Sequence, residues 1–87
     1  MVNWQDLRPG CLGQLCWLGD RDDLLTLMRE LDEKFLHNDS SVLKEQGLIF
    51  YNDAGGVVWL TEEGRRVYLE YQDYKLQQDI LAIDHED

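Results

Sequence analysis

Residues 43–64, Leu-Lys-Glu-Gln-Gly-Leu-Ile-Phe-Tyr-Asn-Asp-Ala-Gly-Gly-Val-Val-Trp-Leu-Thr-Glu-Glu-Gly, constrain this chain more than any other stretch, because nearly every position has a local conformation that suits it. Gly47 follows a short helical run and fits the left-handed residue just past a helix end, with Leu48 folding back as the accompanying apolar contact. Residues 48–52 and 57–60 are rich in aromatic, β-branched and aliphatic side chains, and Asp53-Ala54-Gly55-Gly56 between them tolerates positive φ, which spells a hairpin. Thr61 then offers a hydroxyl to cap a new helix, while Glu62 and Glu63 place negative charge where the helix dipole favours it. The order is helix, hairpin, helix.

Upstream, the apolar spacing predicts a helix over residues 9–18 with Pro9 in its first turn, although Gly10 and Gly13 weaken it. Trp4 and Trp17 read as core or rim anchors. Residues 20–36 read as an amphipathic helix capped by Asp20, with Asp22 and Asp23 in its first turn and Leu24, Met28, Leu31 and Phe35 on one face, flanked by Leu27. Three neighbouring aspartates suggest calcium, but no glycine or distal glutamate completes such a loop. His37-Asn38-Asp39 reads as a turn, and Asn38 or Asp39 as the cap of a short helix that ends at Gln46. Its inward residues are Val42 and Leu43, and its outward ones Asp39, Ser40, Ser41, Lys44, Glu45 and Gln46.

The last helix is expected over residues 61–83, about 34 Å at 1.5 Å per residue. At 100° per residue, Val67, Tyr71, Tyr74 and Leu81 lie on one side, and Leu69, Leu76, Ile80 and Ile83 on nearly the opposite one. Two apolar stripes need two covering surfaces. One is the domain core; the other is either the first helix wrapped around, or a second copy of the chain in a short heptad-like seam that Asp73 interrupts. Residues 84–87 form an acidic tail.

Eighty-seven residues support one small domain, and a net charge of -10 on so short a chain makes its surface strongly acidic. Such a field repels nucleic acid and anionic membranes and favours basic partners, although solubility alone is served as well. Cys11 and Cys16 are five apart, without the spacing of a redox or zinc pair, and read as buried free thiols. No run reaches the length of a membrane span, and the start of the chain lacks the layout of a secretory signal, so a reducing cytoplasm is expected.

The whole is mainly α with a small β-hairpin, an α+β chain with three helices, a two-stranded wing and a long C-terminal helix. Leu-x-x-x-Gly-Leu-Ile at 43–49, a glycine-bearing turn and Leu-Thr-Glu-Glu-Gly at 60–64 resemble the second half of a winged-helix domain. That resemblance implies a DNA-binding transcriptional regulator, often dimeric through a terminal helix. It places Ser40, Ser41, Lys44 and Glu45 on the recognition helix and Asn52, Asp53, Gly55 and Gly56 at the wing. Groove and phosphate contacts depend on cations, yet the matching positions offer only Lys44, with Arg65 and Arg66 at the start of the last helix.

Nucleophilic catalysis needs a nucleophile beside an oriented base, and His37 and His85 lie in a turn and at the terminus. No Cys and His cluster offers a zinc site, and no glycine-rich phosphate loop is present. The leading expectation is a non-enzymatic, cofactor-free, acidic interaction module. It regulates or inhibits a protein partner with a basic surface, in one form by mimicry of nucleic acid, and self-associates as a homodimer. The alternative is a DNA-binding regulator acting as a homodimer.

Overall fold

A computed structural model of the chain describes residues 2–21, 25–52 and 54–84, with side chains through residue 81. After a 3-10 turn at Trp4–Asp6, the elements are α1 (Pro9–Asp20), α2 (Met28–Lys34), α3 (His37–Glu45), β1 (Ile49–Asn52), β2 (Val57–Leu60) and α4 (Glu62–Asp84). This is the mainly helical α+β arrangement that the sequence implies.

The joint between α3, the hairpin and α4 forms as the residues of 43–64 require. Gly47 takes φ 74°, and its N–H donates to the Lys44 carbonyl at 3.0 Å. The Leu48 N–H donates to the Leu43 carbonyl at 3.0 Å, which completes the two-bond helix stop and drives Leu48 into the core. Thr61 Oγ1 accepts from the Gly64 N–H at 3.0 Å, capping α4, and donates to the Gly47 carbonyl at 2.6 Å. The Thr61 N–H also donates to the Leu48 carbonyl at 3.1 Å. One end of α3 is thereby bolted to one end of α4. The approach is so close that a Cβ on Gly64 would overlap the Leu48 carbonyl oxygen.

In the hairpin, Ile49 faces Leu60, Phe50 faces Trp59, Tyr51 faces Val58 and Asn52 faces Val57. Asn52 closes the loop by accepting from the Gly55 N–H on its side chain (3.1 Å) and from the Gly56 N–H on its carbonyl (2.7 Å). Leu7, Cys11, Leu15, Leu18, Leu31, Leu43, Leu48, Ile49, Val58 and Val67 form the core. Trp4 and Trp17 are half-buried rim anchors. Trp4 lies against Tyr71 and Tyr74, at 5.1 and 4.5 Å between ring centres, and Trp17 meets Phe35 edge-on at 5.8 Å.

The expected helix over residues 20–36 is corrected in two places. Asp20 is the last residue of α1, and the second helix has only seven residues, from Met28. Between them the backbone is claimed by the open edge of β2: the Val58 N–H donates to the Thr26 carbonyl (3.0 Å), the Met28 N–H to the Gly56 carbonyl (2.8 Å), and Leu27 pairs with Val57. An unpaired strand edge needs partners, and that tertiary demand outweighs the helical spacing of the leucines. The first-turn acids Asp22 and Asp23, with Leu24, lie outside the described residues, as do Asp53 and residues 85–87. His37-Asn38-Asp39 is the first turn of α3 and not a connecting turn, because extended Phe35 and Leu36 alone link α2 to α3. Leu36 therefore holds the capping position given to Asn38 or Asp39.

The molecule measures 54 × 26 × 22 Å, and among the described residues no helix is long and apolar enough to cross a membrane. Gly64→Ala is expected to cost on the order of 1–3 kcal/mol in urea unfolding followed by tryptophan fluorescence, since either α4 or the hairpin must shift. Gly55→Ala, in the open loop, should stay within about 0.5 kcal/mol of wild type.

Candidate functional site

The first turn of α3 packs on α1 and does not face solvent. Ser40 is fully buried, and its Oγ donates to Gln14 Oε1 at 2.9 Å; Gln14 Nε2 donates in turn to the Leu36 carbonyl at 3.4 Å. Asp39 is buried too, with its carboxylate 2.7 Å from the Arg8 guanidinium. These two leave the outward face to which the sequence assigns them, because polar groups beside α1 pair across the interface when a partner is in reach. Gly10 has its reason here: a side chain on it would overlap the Asp39 carboxylate. Ser41 is half-buried, whereas Lys44, Glu45 and Gln46 are exposed. Lys44 Nζ lies 5.2 Å from the centre of the Tyr51 ring.

At the wing tip, Asn52, Gly55 and Gly56 form the turn itself, with Gly56 at φ 66°, and Asp53 lies outside the described residues. The wing's solvent face is aromatic. Phe50 and Trp59 face each other across the strands, about half exposed, with ring centres 4.8 Å apart. Leu25, two residues before the isolated Leu27–Val57 bridge, is exposed as well. The sequence reading does not single out this patch, although period-two alternation from buried Ile49 and Val58 puts Phe50 and Trp59 outward together.

Six of the eight cations are engaged by other groups of the same chain. Arg8 holds Asp39, and Arg21 reaches Glu30 (3.2 Å) while lying over the Trp17 ring at 4.7 Å. Lys44 lies over Tyr51, and Lys75 over Tyr71 at 4.9 Å. Arg66 bonds Glu63, Glu70 (2.8 Å) and the Val2 carbonyl (2.7 Å), and Arg65 is engaged as well. The hydrogen bond from Arg66 pulls the Glu63 carboxyl below its ordinary range, and the two carboxylates push Arg66 up. The other two cations, Arg29 and Lys34, sit on α2, away from α3 and the wing tip.

On α4, α1 covers a single side. Cys16 Sγ lies 3.6 Å from Gln72 Nε2 and 3.8 Å from Lys75 Nζ, and the Tyr68 hydroxyl donates to Asp20 at 2.6 Å. On the opposite side Leu69, Leu76 and Ile80 are 56%, 59% and 51% exposed, so the first helix does not wrap around to bury both stripes. The Ile83 side chain lies outside those described. Leu81, expected on the core-facing stripe, is 53% exposed because α4 has by then passed the end of the body.

A shallow polar depression of about 420 Å³ lies between α1 and α2, lined by Trp17, Arg21, Glu30, Glu33 and Lys34. Arg21, in its lining, pairs with Glu30 and stacks on Trp17. His37 is exposed, 3.7 Å from Asp32, and among the described residues no three His, Cys, Asp or Glu side chains are grouped to hold a metal ion. No protein-family model matches the chain, and no curated protein or solved structure matches it either.

Both cysteines are free; Cys11 is buried, whereas Cys16 is only half-buried. Burial pushes the Cys11 thiol above its ordinary 9.0, and the Asp39 carboxylate adds to the shift. Burial also raises Cys16, with Lys75 opposing. Because the folded state disfavours the thiolate, these thiols stabilise the fold fully below pH 9.0, and that contribution is lost as pH rises through the raised values. Thiol titration with an aromatic disulfide at mildly alkaline pH should therefore show one slow thiol, absent in Cys11→Ser, that reacts as fast as the other once urea unfolds the chain.

Proposed function

We propose that this chain is a non-enzymatic interaction module of winged-helix type, acting in the cytoplasm, which binds a protein partner with a basic surface and regulates or inhibits it. The observation that carries this reading is the wing: its solvent face presents Phe50 and Trp59 where a reader of polyanions would present cations. Exposed aromatic pairs of this kind are typical anchors of protein contacts, since tryptophan buries a large area at low entropic cost. Around that anchor the chain carries 18 carboxylates against 8 cations, so the long-range field attracts a basic partner and repels a phosphate backbone. The same acidity suits mimicry of nucleic acid, with carboxylates standing in for phosphates on the partner's basic site.

The competing reading, a homodimeric DNA-binding regulator, uses Lys44 on α3 and Arg65 at the start of α4. Phosphate contacts make affinity fall steeply as salt rises, with a slope that counts the cations involved. Titration of a labelled random-sequence duplex at low ionic strength should give no saturable binding. Salt-dependent binding that is lost in Lys44→Ala or Arg65→Ala would overturn the protein-binding reading in favour of the alternative. In the complementary experiment, basic proteins retained from the source cell by the immobilised wild type should elute as salt is raised and should not be retained by Phe50→Ser/Trp59→Ser. Equal retention by wild type and variant would remove the wing from the contact.

A further inference from the structure

We infer that Cys16 on α1 and Lys75 on α4 form a modification site, at which peroxide oxidises the thiol and the lysine amine then captures its sulfur, tying the two helices covalently. Two nitrogen donors converge on this one sulfur, Gln72 Nε2 at 3.6 Å and Lys75 Nζ at 3.8 Å. A second contact steadies the lysine, whose Nζ lies 4.9 Å from the centre of the Tyr71 ring. A thiol and an amine 59 residues apart in the chain are thus brought within a side chain's motion of each other. Both residues are half-buried, so an oxidant as small as hydrogen peroxide reaches the sulfur.

The other thiol of the molecule has the opposite surroundings. Cys11 is fully buried, and its sulfur lies 3.8 Å from a carboxylate oxygen, Asp39 Oδ1. Its cationic neighbour is the Arg8 guanidinium, which is paired with Asp39 and is no nucleophile. At Cys16 burial disfavours the thiolate, Lys75 opposes burial, and Asp20 adds to it. Oxidants attack thiolates that they can reach, so oxidation of this chain is directed to Cys16.

The Cys16 thiolate attacks one oxygen of hydrogen peroxide; the O–O bond breaks, sulfur is oxidised to the sulfenic acid, and hydroxide leaves. That hydroxide takes a proton from the Lys75 ammonium, giving water and the free amine. The amine nitrogen then attacks the sulfenic sulfur. An S–N bond forms, the S–O bond breaks, and the oxygen departs with a proton of the amine as a second water. One peroxide is reduced to two waters, while thiol and amine lose one hydrogen each. An added thiol reverses the link by attacking the same sulfur, which frees the amine, and a second thiol releases Cys16 with formation of a disulfide. Lys75 is the last half-buried residue of α4 among those described, so the link fixes this helix where it leaves the body. The pair is separate from the wing, and its chemistry does not depend on what the wing binds.

Intact-mass analysis of the reduced full chain, treated with hydrogen peroxide at mildly alkaline pH, should show a monomer lighter by about 2 Da that dithiothreitol restores. One thiol should remain open to alkylation in urea, and peptide mapping should join the fragments that carry Cys16 and Lys75. Lys75→Arg keeps the charge but offers no attacking amine, so its oxidation should stop at a sulfenic acid about 16 Da heavier that dimedone traps. The linked wild type should melt at least about 5 °C above the reduced chain, because a closed loop of 59 residues restricts the unfolded state, and Lys75→Arg should show no such rise. Loss of both alkylatable thiols, a lighter product that persists in Lys75→Arg, or a wild-type sulfenic acid that dimedone traps as fully as in the variant would overturn the pair. An unchanged mass after peroxide would overturn it too.

Discussion

The Thr61 hydroxyl is the small group on which the arrangement turns. It caps α4 by accepting from the Gly64 N–H and donates to the Gly47 carbonyl, where α3 stops. Both ends of the hairpin are thereby closed on each other: β1 leaves α3 and β2 enters α4 at one point, with Leu48 driven into the core between them. Only glycine lets α4 come this close, because any side chain at Gly64 meets the Leu48 carbonyl. The direction of α4, and hence which of its sides α1 covers, follows from this joint.

Internal pairing decides what the surface can offer. An arginine such as Arg66, held by Glu63, Glu70 and the Val2 carbonyl, is fixed in place and locally neutralised. Arg8, which emerges next to α3, is matched by Asp39. With most cations paired within the chain and 18 carboxylates in it, exposed apolar side chains among the described residues gather on the outer wing and along the far side of α4.

Legibility of the fold tracks how local its causes are. Gly47, Gly56, Thr61 and the alternation in both strands act over a few residues, and each is found where the sequence puts it. The segment from Thr26 to Met28 is different, since its conformation is set by β2, a strand 30 residues away, and no periodicity in its own leucines reports that edge. The same holds for Asp39 and Ser40, polar residues that read as solvent-facing until Arg8 and Gln14 of the first helical region are placed beside them. Of the site, Leu69, Leu76 and Ile80 are legible from helical spacing alone. Phe50 and Trp59 are legible only once strand register is combined with charge, because aromatic residues in a strand are more often core.

The central proposal is that the wing takes a protein partner by apolar contact within an acidic field, in preference to a polyanion. Its most direct test is the amide and indole N–H spectrum of the 15N-labelled chain, titrated in parallel with a lysine- and leucine-rich amphipathic peptide and with a short DNA duplex at low salt. The account predicts that the Trp59 indole and the Phe50 amide shift with the peptide, and that no resonance shifts with the duplex. Duplex-induced shifts clustered at Lys44, Glu45 and Arg65, with Trp59 silent to the peptide, would contradict it.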